Sequence, residues 1–193
     1  PLVISIERKA LFAQQIHEIE TYLDNTVSRS DSDIRVTRQQ AMALADEIQQ
    51  WSPKDRTVWF EMMERALQRL PKASGIRVAF EPASQVGPAA TKGLYVRRTA
   101  AGGFERDELS YSPAEQSSPG AHWYLPLRRA GGEQWLDGLW SDRFVAPETA
   151  GKSVVACSVP IYHLRGERNH FDGVVSIDLG TDVFRDFFRH IDL

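Results

Sequence analysis

Three aromatic side chains and one carboxylate are the residues of this 193-residue chain best suited to hold a small polar molecule. Trp123 and Tyr124 are adjacent, Trp135 follows shortly after, and Asp178 ends an apolar run. Tyr and Trp rings bury a large apolar area, keep one polar atom for a hydrogen bond, and can hold a cation over the ring face. A buried carboxylate needs a partner, and a ligand ammonium group could supply it. The set predicts a small-molecule pocket, with Tyr111 and Tyr162 as further candidates.

Each of these residues also has a structural interpretation that needs no ligand. The aromatic side chains could pack a core or a loop, and Asp178 could cap the helix predicted to follow it. Arg128 and Arg129 come after the Trp-Tyr pair, where they could bind an anion or lie on the solvated surface. Both interpretations stay open at the level of the sequence.

Composition points to an ordinary globular domain and away from nucleic acid. Apolar residues make up 42% and charged residues 25% of the chain, which suffices for a buried core. The net charge of -3 provides no basic surface, so no nucleic-acid partner is expected. Cys157 is the only cysteine and lies in an apolar run, which predicts a buried structural thiol.

An enzyme is the main rival to a binding domain. Histidines and aspartates that could act as ligands or bases are present, but no His-x-x-x-His, Cys-x-x-Cys or Gly-x-Ser-x-Gly motif occurs. We therefore predict no catalytic residue, no metal site and no cofactor. The residues considered for such roles are His122, His163, His170, Asp137, Asp142 and Asp172.

Three helices are predicted before residue 71. Apolar residues at helical spacing indicate a helix over 7–28, and a polar loop is expected over 28–33. Thr37 and Gln40 have the spacing of a capping box, which predicts a second helix from Thr37 to about Gln50. Ser52 is the predicted cap of the third helix, which Pro71 ends.

Strands follow. Ile76, Val78 and Phe80 alternate with more polar residues, and a second strand is expected at 94–96. Residues 104–150 are predicted to be rich in loops. The strongest strands are 153–162 and 171–178, joined by a polar turn at 165–169, and a helix over 181–191 ends the chain. Strands joined by short turns imply an antiparallel sheet, and helices segregated from strands imply the α+β class.

Four segments in this order resemble the Cache superfamily of extracytoplasmic, PAS-like sensor domains. The resemblance covers most of the chain from about residue 7. Its parts are Gly75–Pro82, Tyr95–Arg98 with Gly102-Gly103, Trp123-Tyr124 with Trp135, and the pair Ser158–Tyr162 and Phe171–Leu179.

The resemblance implies a long N-terminal helix and further helices packed on a central antiparallel PAS-like sheet. It implies a helix over residues 1–35, which is a candidate dimerising stalk, and a sensor domain over 36–193 with an output helix at its end. The parent protein would be a homodimeric, membrane-tethered receptor with this part in the periplasm: a histidine kinase, phosphatase, cyclic-dinucleotide enzyme or chemoreceptor. The sensor itself would not be an enzyme, and the alternative is a ligand-free dimerisation or interaction module.

The resemblance also implies a ligand: an amine, a carboxylate or an amino-acid-like molecule, held between the sheet and its covering loops. The carboxylate that binds a ligand amine in such sensors falls at Asp178. The arginine that binds a ligand carboxylate would stand two residues before the Trp-Tyr pair, where this chain has Ala121. The bidentate clamp that an arginine offers is therefore missing at that position.

Overall fold

Two helices and a short third one accompany a six-stranded antiparallel sheet in the described part of the chain. The computed structural model describes residues 31–51, 55–82, 84, 93–109, 122–130, 138–145, 149–165 and 168–184. The α+β prediction is confirmed. The elements are α1 (31–51), α2 (Arg56–Gln68), β1 (Ala73–Phe80), β2 (Gly93–Arg98), β3 (Phe104–Glu108), α3 (Leu125–Ala130), β4 (Leu139–Trp140), β5 (Val154–Arg165), β6 (Arg168–Gly180) and a 3-10 helix (Thr181–Phe184).

The first described helix includes residues that the sequence assigned to a loop. Residues 31–36 are helical, so the predicted start at Thr37 was wrong. Thr37 is buried and continues the apolar stripe of Ala41, Leu44 and Ile48 by one turn, which explains why it lies inside the helix. The predicted helix over 7–28 lies outside the described residues.

Helix α2 begins three residues later than expected, because its N-cap is Asp55 and not Ser52. The Asp55 carboxylate, and not the Ser52 hydroxyl, accepts a hydrogen bond from the Thr57 backbone N–H at 2.8 Å. At the other end, the Arg98 guanidinium donates to the carbonyls of Leu67 at 2.7 Å and Leu70 at 3.3 Å. These carbonyls also accept the backbone N–H groups of Leu70 and Ala73, so this arginine of β2 adds a positively charged donor at the negative end of the helix.

The sheet has the order β3-β2-β1-β6-β5-β4, and every neighbouring pair is antiparallel. The β5–β6 hairpin is longer than predicted, because the expected polar turn continues the ladder to the pair Arg165 and Arg168. The stretch 104–150, predicted as loops, contains β3, α3 and β4. Strand β3 was missed because it is an edge strand with four exposed polar residues, so it lacks an alternating apolar pattern.

Alternation along the central strands creates two different faces. Ile76 and Val78 point to the core under α1 and α2, where Trp59 meets Phe80 edge-on at 5.1 Å. Ala79 and Val174 belong to a second core on the opposite face, which contains residues of the 122–130 segment and Phe144. We call this second surface the loop-side face.

The centre of the sheet requires a glycine at one crossing. An added Cβ at Gly173 would collide with the Ala79 carbonyl group and lie 3.2 Å from the Phe80 Cα. These are backbone atoms of β1, so they cannot move aside as a flexible side chain can.

None of the helices within the described ranges combines the length and the hydropathy that a bilayer crossing requires.

Candidate functional site

Five polar side chains are buried in a row on the loop-side face. Arg77 of β1, Tyr95 of β2, Ser158 of β5, and Ser176 and Asp178 of β6 are each at most 2% exposed. Ser158 donates to Ser176 across the β5–β6 ladder at 3.0 Å. Burial of polar groups is costly unless they are paired, so a row like this on a sheet face is a candidate functional surface.

An arginine held by a carboxylate and three rings forms the middle of this row. The Arg77 guanidinium is ion-paired with Asp178, and Tyr95 Oη also donates to Asp178 Oδ2, at 3.4 Å. The guanidinium carbon lies 5.3 Å from the ring centroids of Tyr95 and Trp123 and 5.2 Å from that of Phe144. All three distances are within the range of cation–π attraction. We use the name Arg77 cage for Arg77, Asp178, Tyr95, Trp123 and Phe144.

The strand register explains how the cage forms. Gly75 is the β1 partner of Asp178, and Arg77 is the partner of Ser176, so the arginine reaches the carboxylate diagonally. Gly75 leaves the space that the Tyr95 ring occupies, since an added Cβ there would collide with the Tyr95 hydroxyl. A small residue opposite Asp178 therefore lets both Arg77 and Tyr95 approach the same carboxylate.

A second aromatic group lies farther along the hairpin. Tyr124 packs edge-on against Phe171 with 5.6 Å between centroids, and Phe171 packs on Tyr162 at 6.0 Å. Burial raises the pKa of the Tyr124 phenol, and the nearby Glu81 carboxylate raises it further. Burial also raises the pKa of Tyr162. Both side chains are therefore neutral donors at physiological pH.

Two buried polar atoms of the Trp-Tyr pair lack a partner among the described residues. Trp123 and Tyr124 are both fully buried, yet Trp123 Nε1 and Tyr124 Oη have no hydrogen-bond partner in the part of the chain that the structure describes. A buried polar atom without a partner costs about 1–3 kcal/mol. A ligand oxygen is the kind of group that would remove this cost.

The structure brings the predicted site residues together in two places. Trp123 and Asp178 meet in the Arg77 cage, whereas Tyr124 and Tyr162 share Phe171. Phe171 and Asp178 are seven positions apart on β6, roughly 23 Å along an extended strand. Asp178 does not cap a helix, because it lies within β6 and binds Arg77. Tyr111 and Trp135 lie outside the described residues.

Arg77 is a site residue that the sequence did not predict. Its alternation with Ile76 and Val78 suggested a solvated side chain, but β1 has a neighbour on each side and covered faces. The available signal was Asp178 itself, since a lone carboxylate in an apolar strand requires a cation from another strand. Arg128, considered above as an anion ligand, instead pairs with Glu81 at 2.8 Å.

Two solvent-facing cavities lie beyond the cage, at the end where β1 begins and β6 ends. One has a volume of about 670 Å³ and is lined by residues including Lys72, Arg98 and Thr181. The other measures about 190 Å³ and is lined in part by Ser74 and Tyr95. Ser74 Oγ donates to the Asp178 carbonyl at 3.3 Å, so the smaller cavity borders the Arg77 cage.

This arrangement, with the two longer helices on one side of the sheet and a covered, polar face on the other, is the fold of extracellular, Cache-like sensor domains. One similar structure is the extracellular domain of mmHK1S-Z3, a protein assigned as a histidine kinase. The TM-score is 0.63 and the identity 14%, with 88% of this chain and 60% of that one covered.

Two chemoreceptor domains have the same fold. The ligand-binding domain of the Pseudomonas aeruginosa PAO1 amino acid chemoreceptor PctC, in complex with GABA, matches with TM-score 0.55 and 17% identity over 88% of this chain and 64% of that one. The isoleucine-bound sensory domain of Campylobacter jejuni Tlp3 matches with TM-score 0.55 and 12% identity over 87% and 59%. The chain thus spans about three fifths of the length of these structures. No protein-family model and no curated protein matches the sequence.

Proposed function

We propose that this chain is the extracytoplasmic ligand-sensing domain of a membrane-bound bacterial signalling receptor. The observation that carries the proposal is a pair of buried polar atoms, Trp123 Nε1 and Tyr124 Oη, which have no hydrogen-bond partner in the described ranges and lie on the covered face of the sheet. A small molecule with a hydrogen-bond acceptor would bind between that face and the covering segment 122–130. The sensor domains that share the fold include structures with GABA and with isoleucine bound, which supports a small-molecule ligand.

Strand β6 offers a route for the signal. It carries Asp178 in the cage and runs directly into the 3-10 helix Thr181–Phe184, which Thr181 anchors by donating to the Ser153 carbonyl at 3.1 Å. A ligand that moves the cage would move this exit from the sheet. We propose that the following segment passes the shift to the membrane by biasing a two-state helix arrangement. Dimerisation through residues 1–35 remains part of the proposal.

The second candidate is an interaction module that binds no small ligand. One observation favours it: Arg77 already occupies the space between Asp178 and the three rings. In that case the unsatisfied atoms of Trp123 and Tyr124 would be a stability cost without a function. Ligand binding separates the two candidates.

A thermal-shift screen of the chain tests the proposal. The panel contains amino acids, organic acids, amines and neutral polar compounds. A ligand at a hundredfold excess over its Kd stabilises by about 2.7 kcal/mol, which raises the Tm of a domain of this size by about 5–11 °C. We expect one class of compound to give such a shift. The variant Trp123→Phe, which removes the indole N–H, should weaken the binding of that compound at least tenfold, as measured by calorimetry. If no class shifts the Tm, the interaction module replaces the sensor proposal.

A further inference from the structure

The Arg77 cage has the parts of an amine-binding site, but its cation belongs to the chain. We propose that Arg77 is a built-in cation that closes Asp178 to amine ligands, so the ligand of this domain carries a hydrogen-bond acceptor and no ammonium group. The occupancy of the cage by Arg77 follows from geometry alone, and only its consequence for the ligand class rests on the proposed function.

The geometry of the cage matches the recognition of organic cations. Rings of Tyr95, Trp123 and Phe144 surround a positive group at 5.2–5.3 Å, and Asp178 neutralises it. Aromatic rings around a cation are how proteins recognise ligands with ammonium groups. Here the guanidinium of Arg77, which is fully buried, fills that place.

A free amine would compete with this arginine at a disadvantage. Arg77 is tethered to β1, so its effective concentration at Asp178 is at least in the millimolar range of a flexible linker. Its side chain is 0% exposed and surrounded by rings, which leaves no solvated position to which a competitor could displace it without opening the core. Amine ligands are therefore excluded from Asp178 by the occupancy of this subsite.

The groups that the Trp-Tyr pair offers to a ligand are donors. Trp123 Nε1 can only donate, and the Tyr124 hydroxyl, which burial keeps neutral, can donate its proton to an acceptor. A neutral carbonyl or hydroxyl compound, or a singly bound carboxylate, fits these donors.

Removal of the built-in cation should create an amine site. Arg77→Ala leaves Asp178 buried without its counter-ion and should lower the Tm by roughly 6–20 °C. Ethylguanidinium or n-propylammonium at 10 mM should then bind in the vacated cage and restore more than half of that loss, whereas neither should raise the Tm of the wild-type chain.

A surface arginine provides the matched control. Arg106 also pairs with a carboxylate, Glu64, at 2.7 Å and stacks on Phe60 at 5.6 Å, but its side chain is 40% exposed. Arg106→Ala should therefore lower the Tm by only about 0–4 °C, and the two cations should restore none of it. This control separates occupancy of a buried site from a general effect of the salts on stability.

A neutral double variant covers the case in which Arg77→Ala does not fold. Arg77→Met with Asp178→Asn removes both charges, should fold cooperatively and should not respond to either cation. If Arg77→Ala is unfolded alone, refolding with 10 mM ethylguanidinium should restore a cooperative transition. The inference is overturned if the cations rescue neither the stability nor the folding of Arg77→Ala.

Two outcomes separate this inference from the proposed function. Saturable binding of an amine-bearing compound by the wild-type chain, measured by calorimetry, would overturn the inference and support the sensor proposal. Rescue of Arg77→Ala together with a panel in which no compound binds the wild-type chain would support the cage and contradict the sensor proposal.

Discussion

Removal of one hydroxyl should make this protein more stable. Tyr124 is fully buried and its hydroxyl has no hydrogen-bond partner within the described residues, so the folded state bears a desolvation cost of about 1–3 kcal/mol. Tyr124→Phe removes that cost and keeps the ring contacts with Trp123 at 5.9 Å and Phe171 at 5.6 Å. The cavity left by the removed oxygen, roughly 10–15 Å³, lowers the stability by about 0.3 kcal/mol.

The expected gain is thus about 0.7–2.7 kcal/mol. For a domain of this size the gain corresponds to a rise in Tm of roughly 1–11 °C, measured by calorimetry at pH 7 and checked by urea unfolding. In the presence of a ligand found by the screen, the sign should reverse, because the variant lacks the hydroxyl that the ligand would satisfy. A variant that is more stable alone and binds more weakly would mark a functional residue that lowers stability.

The Tyr124 hydroxyl should also make the stability of the protein depend on pH in the alkaline range. Because burial raises the pKa of Tyr124 above its ordinary value of 10.0, the folded state retains the phenol proton where the unfolded state loses it. Wild-type stability should therefore be intact below pH 10 and decrease above it, and the Phe variant should lack this part of the decrease.

Tyr162→Phe is the control for Tyr124→Phe. Tyr162 is partly buried and packs on the same Phe171, so loss of its hydroxyl should change stability by less than about 0.5 kcal/mol. A Tyr124→Phe variant that is less stable than the wild type by 1 kcal/mol would refute the reasoning, since it would mean that the hydroxyl is already satisfied in the ligand-free domain.

Three further outcomes follow from the fold. Gly173→Ala should lower the Tm by roughly 2–12 °C because its Cβ would collide with the β1 backbone, whereas Gly103→Ala, with 3.6 Å to its nearest atom, should change it little. Cys157 should resist iodoacetamide at pH 8 until the chain is unfolded, because burial raises the pKa of its thiol to about 12. Glu64→Gln should reduce stability at pH 7 by at most about 1 kcal/mol. Since the Arg106 hydrogen bond holds the pKa of Glu64 below 4.5, that difference should persist above pH 4.5 and disappear as the pH falls further; a constant difference would contradict the pairing.

The sequence predicts the sheet better than the site, for a physical reason. Strands β5 and β6 are long and apolar and meet in a hairpin, so local pattern alone locates them. Polar edge strand β3 has no such pattern, and Thr37 resembles a cap although it lies within a helix. Pairing with β2 decides the outcome for β3, and burial decides it for Thr37; neither shows in the local pattern of residue types.

The site shows the same limit more clearly. Trp123 and Asp178 could be chosen from their residue types, because aromatic rings and a lone carboxylate in an apolar strand suit a pocket. The contact between these two residues could not be predicted, because it runs through Arg77. The position of Arg77 opposite Ser176 depends on the strand register. Register between β1 and β6 is set by the packing of the whole sheet, which no local pattern contains.

The position of β1 beside β6 also determines when the protein can fold. The Arg77–Asp178 pair joins residues 101 positions apart, and the two strands lie at the centre of the sheet. During synthesis, β1 has no central partner until almost the whole described chain has emerged from the ribosome. Contacts of such long range slow folding, so we expect the domain to fold slowly. Incomplete chains should expose β1 without its central partner, with Arg77 lacking the carboxylate that it pairs with in the folded state. A truncation before β6 should therefore yield an aggregating chain and not a smaller folded domain.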